Sequence, residues 1–111
     1  MTRLLDRHCK PCEGGTALTL EASRALLDGL SEWTLEAGGT GIRRAFRFKN
    51  YHQTIAFVNA VAWIAHQENH HPDLEVGYNT CVVRYSTHAV GGLSENDFIC
   101  AAKVDALLAK P

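Results

Sequence analysis

The sequence has no long apolar run, no excess of charge of either sign and few cysteines. None of its apolar segments approaches the roughly 20 residues that a membrane-spanning helix needs, so we expect no transmembrane segment. Eleven basic and twelve acidic side chains give a formal net charge of −1. A chain so close to neutral lacks the positive field that direct nucleic-acid binding requires. The hydrophobic fraction of 46% is too high for a disordered chain.

The four cysteines, at positions 9, 12, 81 and 100, are too few and too scattered for a disulfide framework. We therefore expect reduced thiols. A length of 111 residues suits a single domain, residues 1–111, which is large enough to fold without disulfides or structural metal. The opening residues MTRLLDRHCK contain no apolar stretch typical of a secretory leader, so we expect a cytoplasmic protein.

Apolar periodicity divides the chain into helices and paired strands. Residues 1–17 lack periodicity, which predicts an irregular N-terminal arm. Helical spacing and caps predict helices at 20–27, 51–68 and 95–108. Alternation predicts strands near 33–37, 42–49, 74–78 and 81–87, joined as two hairpins. This order predicts an α+β fold with a four-stranded antiparallel sheet and three helices on one face.

The second predicted helix has a wide apolar stripe. Its members are Phe57, Ala60, Val61 and Ile64, widened by Val58 and Ala65. A stripe this wide suits contact with both the sheet and a partner subunit, and the sheet has free edges, so we expect a homodimer or homotetramer. Both tryptophans, Trp33 and Trp63, are predicted to lie in the core.

Four of the six histidines fall in one stretch of the chain, at His66, His70, His71 and His88. Pro72 disfavours helical geometry at His71, so the second helix must end near His70. With a tight turn at Asn79-Thr80, eight residues separate His71 from Asn79 and eight separate Thr80 from His88. The hairpin therefore predicts two or three imidazoles at one end of the sheet.

Clustered imidazoles point to proton transfer, because one ring can donate a proton while a neighbouring ring accepts one. A dehydration needs that division of labour. Two alternatives stay open: the pair is a solvated helix end, or His66 and His70, four residues apart, are metal ligands. Asp97 is predicted to cap the last helix and could also reach the histidines.

Two other patterns carry less information. Cys9-x2-Cys12, with His8 beside it, is half of a zinc knuckle, but Cys81 and Cys100 lie in predicted regular elements and are typical core residues. The basic side chains Arg43, Arg44, Arg47 and Lys49 indicate a solvated strand face, since the chain is neutral and no aromatic residue shares that face.

Several motifs, taken in order, resemble the signature of the pterin-4a-carbinolamine dehydratases. They are His70-His71-Pro72-Asp73-Leu74, Tyr78, Ser86-Thr87-His88, Gly91-Gly92-Leu93-Ser94 and Asp97. Trp33, the strand Phe46-Arg47-Phe48-Lys49 and the Cys9-x2-Cys12 arm are also similar to members of that family. The resemblance covers roughly residues 9–108, and the family's α+β fold agrees with the predicted order of elements.

The resemblance implies dehydration of 4a-hydroxytetrahydropterin to the quinonoid dihydropterin, without a metal or organic cofactor. This reaction recycles the pterin of aromatic amino acid hydroxylases, so such a hydroxylase is an implied pathway partner. His70 and His88 would act as acid and base, and His71 would hold the substrate. Positions matching the family's pterin pocket are Asn69, Ser86 and Thr87, with Asp97 as a carboxylate near the histidines.

Two positions depart from the family pattern. His66 stands where the family often has an acidic residue, and Ala89 where it commonly has an acidic or polar one. We expect the change at His66 to shift the pH optimum, which a comparison of His66→Glu with the parent would test.

Two competing functions remain at this stage. One is a binding module using Phe57, Val61 and Ile64, because animal members of the family also serve as dimerisation partners of a transcription factor. The other is a metal-binding protein.

Overall fold

The computed structural model describes residues 3–12 and 15–109. Its helices are α1 (Leu20–Leu27), α2 (Tyr51–Glu68) and α3 (Glu95–Ala106), and its strands are β1 (Thr34–Leu35), β2 (Ile42–Arg47), β3 (Asp73–Val76) and β4 (Thr80–Tyr85). Short 3₁₀ turns lie at Leu4–Asp6, Ala37–Gly39 and His88–Val90. The predicted α+β fold is confirmed, and the bounds of α1 and α2 are those that helical spacing predicts.

Local hydrogen bonds explain why the helices begin where they do. The Thr19 hydroxyl accepts from the Ala22 amide at 3.1 Å, and the Asn50 side chain accepts from the Gln53 amide at 2.9 Å. Ser94 and Asp97 form the predicted capping box of α3. Each cap satisfies amides that a helix start leaves without intrahelical partners.

The strands form one antiparallel sheet in the order β1-β2-β4-β3. The core lies between this sheet and α2 and α3, with α1 packed at its margin. Alternate residues of β4 point inward, so Cys81, Val83 and Tyr85 are fully buried. They meet Phe57, Val61 and Ile64 of α2, together with Phe98 and Val104 of α3.

This packing corrects two predictions about α2. Phe57, Val61 and Ile64 are core residues of their own chain, so they are not free to form the binding face proposed for them. Trp63 was predicted to be core but is 60% exposed, whereas Trp33 is 3% exposed as predicted. Trp63 directly precedes Ile64, and adjacent helical residues point about 100° apart, so the two side chains cannot share the buried face.

Two strand predictions also need correction. The first strand covers only Thr34–Leu35, because Gly38 and Gly39 adopt positive φ angles of 83° and 69° and turn the chain early. The turn of the second hairpin is Tyr78–Asn79 rather than Asn79-Thr80, since the Gly77 amide donates to the Thr80 carbonyl at 2.8 Å. Thr80 therefore already belongs to β4.

The predicted basic strand face does not form as one surface. Arg44 points inward, where it lies 4.3 Å from the centre of the Phe46 ring and 2.8 Å from the Asp105 carboxylate. The Trp33 indole donates to the same carboxylate at 2.9 Å. Arg44 therefore ties β2 to α3 instead of facing solvent.

The N-terminal arm, meaning residues 3–12 from here on, has a single 3₁₀ turn and otherwise no regular structure, as predicted. The parts of the predicted arm at 1–2 and 13–14 lie outside the described residues. In the part of the chain that the structure describes, no helix combines the length and apolar character needed to cross a bilayer.

Candidate active site

The end of α2 directs the histidine pair. Asn69 adopts the left-handed conformation with φ of 51°, and the His70 amide donates to the Ala65 carbonyl at 3.2 Å. This is a common helix stop, and asparagine tolerates the conformation better than most residues. Because the helix ends at Glu68, His70 leaves the helical face and does not align with His66.

His70 is held by a buried carboxylate. Its Nε2 atom lies 2.6 Å from Oδ1 of Asp97, whose side chain is fully buried, while the His70 side chain is 13% exposed. The other oxygen of Asp97 accepts from the Thr87 hydroxyl at 2.8 Å and from the Ser94 amide at 2.9 Å. Asp97 is therefore both the predicted helix cap and the partner of His70.

Two hydroxyls complete this buried network. The Thr87 and Ser94 hydroxyl oxygens lie 2.7 Å apart, and both side chains are buried. Since Thr87 gives its only proton to Asp97, Ser94 is the donor to Thr87. We call Thr87, Ser94 and Asp97 the floor of the site. Its polar atoms are paired with one another and with His70, which fixes the carboxylate in place.

Tyr85 supports the other side of the His70 ring. The two rings stack with centroids 5.8 Å apart and an interplanar angle of 12°. Among the described residues, the Tyr85 hydroxyl has no hydrogen-bond partner. Burial, reinforced by the neighbouring Cys100, raises the pKa of this hydroxyl well above its usual range. Tyr85 therefore acts as a neutral packing surface.

The second hairpin brings the third histidine to the site by a different route from the one predicted. Asp73 pairs with Arg84, so continuing the register would place His71 opposite Ser86 rather than His88. After β4, a bridge between Thr87 and Gly92 ends the sheet, and His88 begins a 3₁₀ turn. The turn, rather than equal strand lengths, carries His88 back toward the histidine pair.

These elements enclose a cavity of about 250 Å³. It is lined by six of the seven predicted site residues, namely Asn69, His70, His71, Ser86, Thr87 and His88. The seventh, Asp97, lies beneath His70 rather than in the wall. The structure therefore brings the three histidines to one end of the sheet, beside Ser86 and Thr87.

The cavity also has walls that sequence reasoning missed. They are Lys10, Pro11, Cys12, Asp73, Arg84, Ala89 and Asn96. Alternation could have found Arg84, which stands two residues before Ser86 on the same face of β4. Lys10, Pro11 and Cys12 gave no such signal, because the arm has no periodicity and its position depends on distant contacts.

Glu68 and Asn96 hold the arm against the helices. Glu68 accepts from the Cys9 amide at 2.8 Å and from the His8 ring at 3.0 Å. Burial alone would raise the pKa of the Glu68 carboxyl, but these hydrogen bonds and the charge of Lys103 hold it below its ordinary value. Glu68 therefore stays ionised in a position that is almost fully covered.

The two cysteines of the arm have different surroundings. The thiols of Cys9 and Cys100 lie 3.5 Å apart, and this contact, together with burial, raises the pKa of the Cys9 thiol. The Cys12 sulfur accepts from the Asn96 side chain at 3.1 Å and lines the cavity. All four cysteines are free thiols, as predicted.

The two metal hypotheses find no geometric support. Among the described residues, no three His, Cys, Asp or Glu side chains are grouped so that they could hold a metal ion. His66 packs against Trp63 with ring centroids 5.4 Å apart, and it does not line the cavity. The departure from the family pattern at His66 therefore lies outside the cavity, whereas Ala89 lies in its wall.

Comparison with known sequences gives a consistent result. The family described as pterin 4 alpha carbinolamine dehydratase matches residues 16–107. A Nitrosomonas eutropha protein, provisionally named pterin-4-alpha-carbinolamine dehydratase, is 64% identical over 95% of this chain and 93% of its own length. A Legionella pneumophila (strain Paris) protein with the same provisional name is 57% identical over 95% of both chains.

Solved structures agree with the sequence comparison. A Brucella melitensis protein described as a transcriptional coactivator/pterin dehydratase has a TM-score of 0.80 and 30% identity, and the match covers 85% of this chain and all of that one. A pterin dehydratase-like protein, identified as a RuBisCO assembly factor in the alpha-carboxysome, has a TM-score of 0.62 and 25% identity over 72% of this chain and 93% of its own.

Proposed function

The chain belongs to the pterin 4 alpha carbinolamine dehydratase family, and we propose that it dehydrates a 4a-hydroxytetrahydropterin to the quinonoid dihydropterin. The observation that carries the proposal is the meeting of His70, His71 and His88 in one cavity above a buried carboxylate. The cavity volume of about 250 Å³ is slightly below the roughly 300–1,000 Å³ typical of pockets for drug-sized ligands, which suits a compact bicyclic substrate.

The reaction requires two proton transfers. A carbinolamine carries a hydroxyl and a nitrogen on the same carbon, so loss of water forms a carbon–nitrogen double bond. One group must protonate the departing hydroxyl while another removes the proton from the nitrogen. We assign these two transfers to His70 and His88, the side chains that the fold brings to the cavity from a helix end and a 3₁₀ turn.

Asp97 determines which nitrogen of His70 can act. Its carboxylate accepts a hydrogen bond from Nε2, so a neutral His70 carries its proton there and keeps a lone pair on Nδ1. The carboxylate also stabilises the positive ring that forms when Nδ1 takes a proton. Asp97 is therefore a positioning residue in this proposal and acts on the substrate only through His70.

The remaining cavity residues would hold the ring system. We assign His71, Asn69 and Ser86 to substrate binding, since all three line the cavity. Thr87 also lines it, but its hydroxyl is engaged by Asp97 and Ser94, so its main role is to support the floor. The mechanism draws on side chains alone, and recycling pterin for an aromatic amino acid hydroxylase in the cytoplasm is its proposed context.

The decisive experiment is a rate measurement on enzymatically generated 4a-hydroxytetrahydropterin, followed by ultraviolet absorbance. We expect the parent protein to exceed the spontaneous rate and His70→Ala to lose about 10²–10⁴-fold in kcat, the usual contribution of acid–base catalysis. His52→Ala is the matched control, because His52 is exposed on α2 and does not line the cavity. A parent protein without acceleration would overturn the proposed function.

A second function, binding of another protein, is supported by exposed aromatic residues. Trp63 and Tyr51 on α2 are 60% and 50% exposed, and Tyr78, 66% exposed, stacks on Tyr51 with centroids 6.5 Å apart. Large exposed aromatics are enriched at interfaces. We infer that these exposed aromatic residues, rather than the predicted stripe, take part in the contact of a homodimer or homotetramer or receive another protein.

Light scattering after size-exclusion chromatography tests this second inference. We expect the parent protein to be oligomeric and Trp63→Ala to shift it toward the monomer. Trp33→Phe is a contrasting variant. Because Trp33 is buried, its substitution should alter stability without altering the oligomeric state. A monomeric parent protein would refute the homo-oligomer contact. The hypothesis that these aromatic residues bind a different protein would then stand alone.

A further inference from the structure

The N-terminal arm closes one side of the cavity although it precedes residues 16–107, the range matched by the general pattern of the family. The family match begins at residue 16, whereas Lys10, Pro11 and Cys12 line the cavity beside the histidines. The arm has no strand or long helix to fix its course. Its position must therefore come from contacts with the rest of the chain.

Asn96 supplies the contacts nearest the cavity. Its side-chain oxygen accepts from the Lys10 amide at 3.0 Å, and its side-chain nitrogen donates to the Lys10 carbonyl at 2.6 Å and to the Cys12 sulfur at 3.1 Å. The paired bonds to Lys10 resemble the pairing of two strands, so they fix the direction of the arm as well as its distance. Asn96 is 7% exposed, which protects these bonds from water.

A second anchor lies farther from the cavity. Glu68 binds Cys9 and His8, and the Cys9 thiol packs against Cys100. Asn96 stands next to Asp97 in the first turn of α3, so one short segment supports both the catalytic histidine and the arm. The arm cannot move relative to the histidines without breaking the Asn96 contacts.

We propose that Asn96 is a positioning residue that holds Lys10–Cys12 as a substrate-contacting wall of the active site. This inference rests on the proposed dehydratase function. The wall contacts bound pterin and thereby sets its affinity. Proton transfer depends on the floor and the histidines, so loss of the wall should weaken substrate binding more than it slows the chemical step.

Asn96→Asp tests the proposal, and the labelling of Cys81 described below reports any loss of folding. The change preserves size, and a carboxylate in the first turn of a helix is favourable. It replaces the donor to Lys10 and Cys12 with an oxygen that repels the Lys10 carbonyl. We expect KM to rise about tenfold while kcat stays within about twofold. Asn59→Asp on the exposed face of α2 is the matched control and should change neither constant.

Thiol alkylation provides a readout that does not depend on turnover. N-ethylmaleimide labelling, resolved by tandem mass spectrometry, should be faster at Cys12 in Asn96→Asp than in the parent protein. Cys81, which is fully buried, reports global unfolding and should stay unlabelled in both. Adding 7,8-dihydropterin should slow the labelling of Cys12 in the parent protein, because a ligand in the cavity covers the wall.

The possible outcomes separate this inference from the function on which it rests. Absence of dehydration by the parent protein overturns the proposed function, whatever the labelling shows. If the parent protein is active but Asn96→Asp leaves KM unchanged, or the pterin does not protect Cys12, only the proposal of a substrate-contacting wall is refuted. A rise in KM together with pterin protection supports both.

Discussion

The floor and the arm both border the same cavity but are held in different ways. The floor is built from Thr87, Ser94 and Asp97, all buried and bonded to one another within a segment of eleven residues. The arm is partly exposed and is tied to residues about 60–90 positions away in the chain.

This difference indicates a separation of roles. Groups that transfer or orient protons require a fixed geometry, and the buried floor provides it through short-range bonds. A wall that only encloses the substrate tolerates small movements. We therefore expect changes in the floor to affect kcat and changes in the arm to affect KM, and the predictions below test that separation from the largest effect to the smallest.

Asp97→Asn should give the largest effect. The amide oxygen would remain with Thr87 and Ser94, which both donate to it, so the amide nitrogen would face His70. Nε2 of His70 would then have to accept, which places the proton on Nδ1 and removes the lone pair from the reacting side. We expect kcat to fall by about 10²-fold or more in the dehydration assay.

The same substitution on the same helix provides the control. Asp105→Asn weakens the bonds to Trp33 and Arg44 far from the cavity, so it should lower the free energy of unfolding by about 1–3 kcal/mol and leave kcat unchanged. Urea titrations measure the first quantity. If Asp97→Asn retained full kcat, the role of the floor in positioning His70 would be refuted.

Acid should release the arm when Glu68 becomes protonated. The pKa of Glu68 is lowered in the folded protein, so its contribution to stability is complete above its ordinary pKa of 4.5 and is lost as the pH falls through the lower folded value. Labelling of Cys12 should therefore accelerate below about pH 4.5 in the parent protein, after correction for thiolate fraction.

Glu68→Gln should remove part of this pH dependence, because the glutamine amide is neutral and does not titrate. In that variant the arm is less firmly held at neutral pH, so the difference from the parent is largest at neutral pH and shrinks in acid. Equal acid sensitivity of Cys12 labelling in the two proteins would exclude Glu68 as the group responsible.

Substitutions of Asn69, in the turn that ends α2, should have smaller effects, on both the free energy of unfolding and KM. Asn69→Ala places a side chain that avoids the left-handed region at a φ of 51°, so we expect a loss of about 1 kcal/mol in the free energy of unfolding. Asn69→Gly suits the same backbone angle and should retain stability. A KM increase shared by both variants would show that the Asn69 side chain binds substrate, whereas an increase limited to the alanine variant would indicate that the turn alone matters.

Tyr85→Phe should give the smallest effect. The buried hydroxyl of Tyr85 has no hydrogen-bond partner among residues 3–12 and 15–109, so its removal should leave stability unchanged or raise it by about 1 kcal/mol. The ring still stacks on His70, so kcat should stay within about twofold. A large loss of kcat would mean that the floor extends to this hydroxyl.

Much of the fold could be predicted because local signals agree with one another. The caps at Thr19 and Asn50 and the capping box at Ser94 gave the helix starts, and alternation gave the inward face of β4. The errors occurred where local signals were incomplete. Two glycines shortened β1, and the exact hairpin turn depended on pairing energies that the sequence of the turn does not express.

The histidines of the candidate site could be predicted for the same reason, whereas some of the cavity walls could not. A histidine pair before a proline and a third histidine after a hairpin are visible as a pattern. The contributions of Lys10 and Asn96 to the cavity wall are not visible in the sequence. Lys10 resembles an ordinary surface residue and Asn96 an ordinary helix-start residue until the chain folds.

The sequence by itself determined the helices, the paired strands and the group of histidines, because these depend on periodicity and caps within a few residues. Only the tertiary structure decided that Asp97 lies under His70, that Trp63 faces outward and that the arm closes the cavity. Those outcomes depend on contacts between distant segments, whose geometry is set by how the helices pack on the sheet and not by any local pattern of residues.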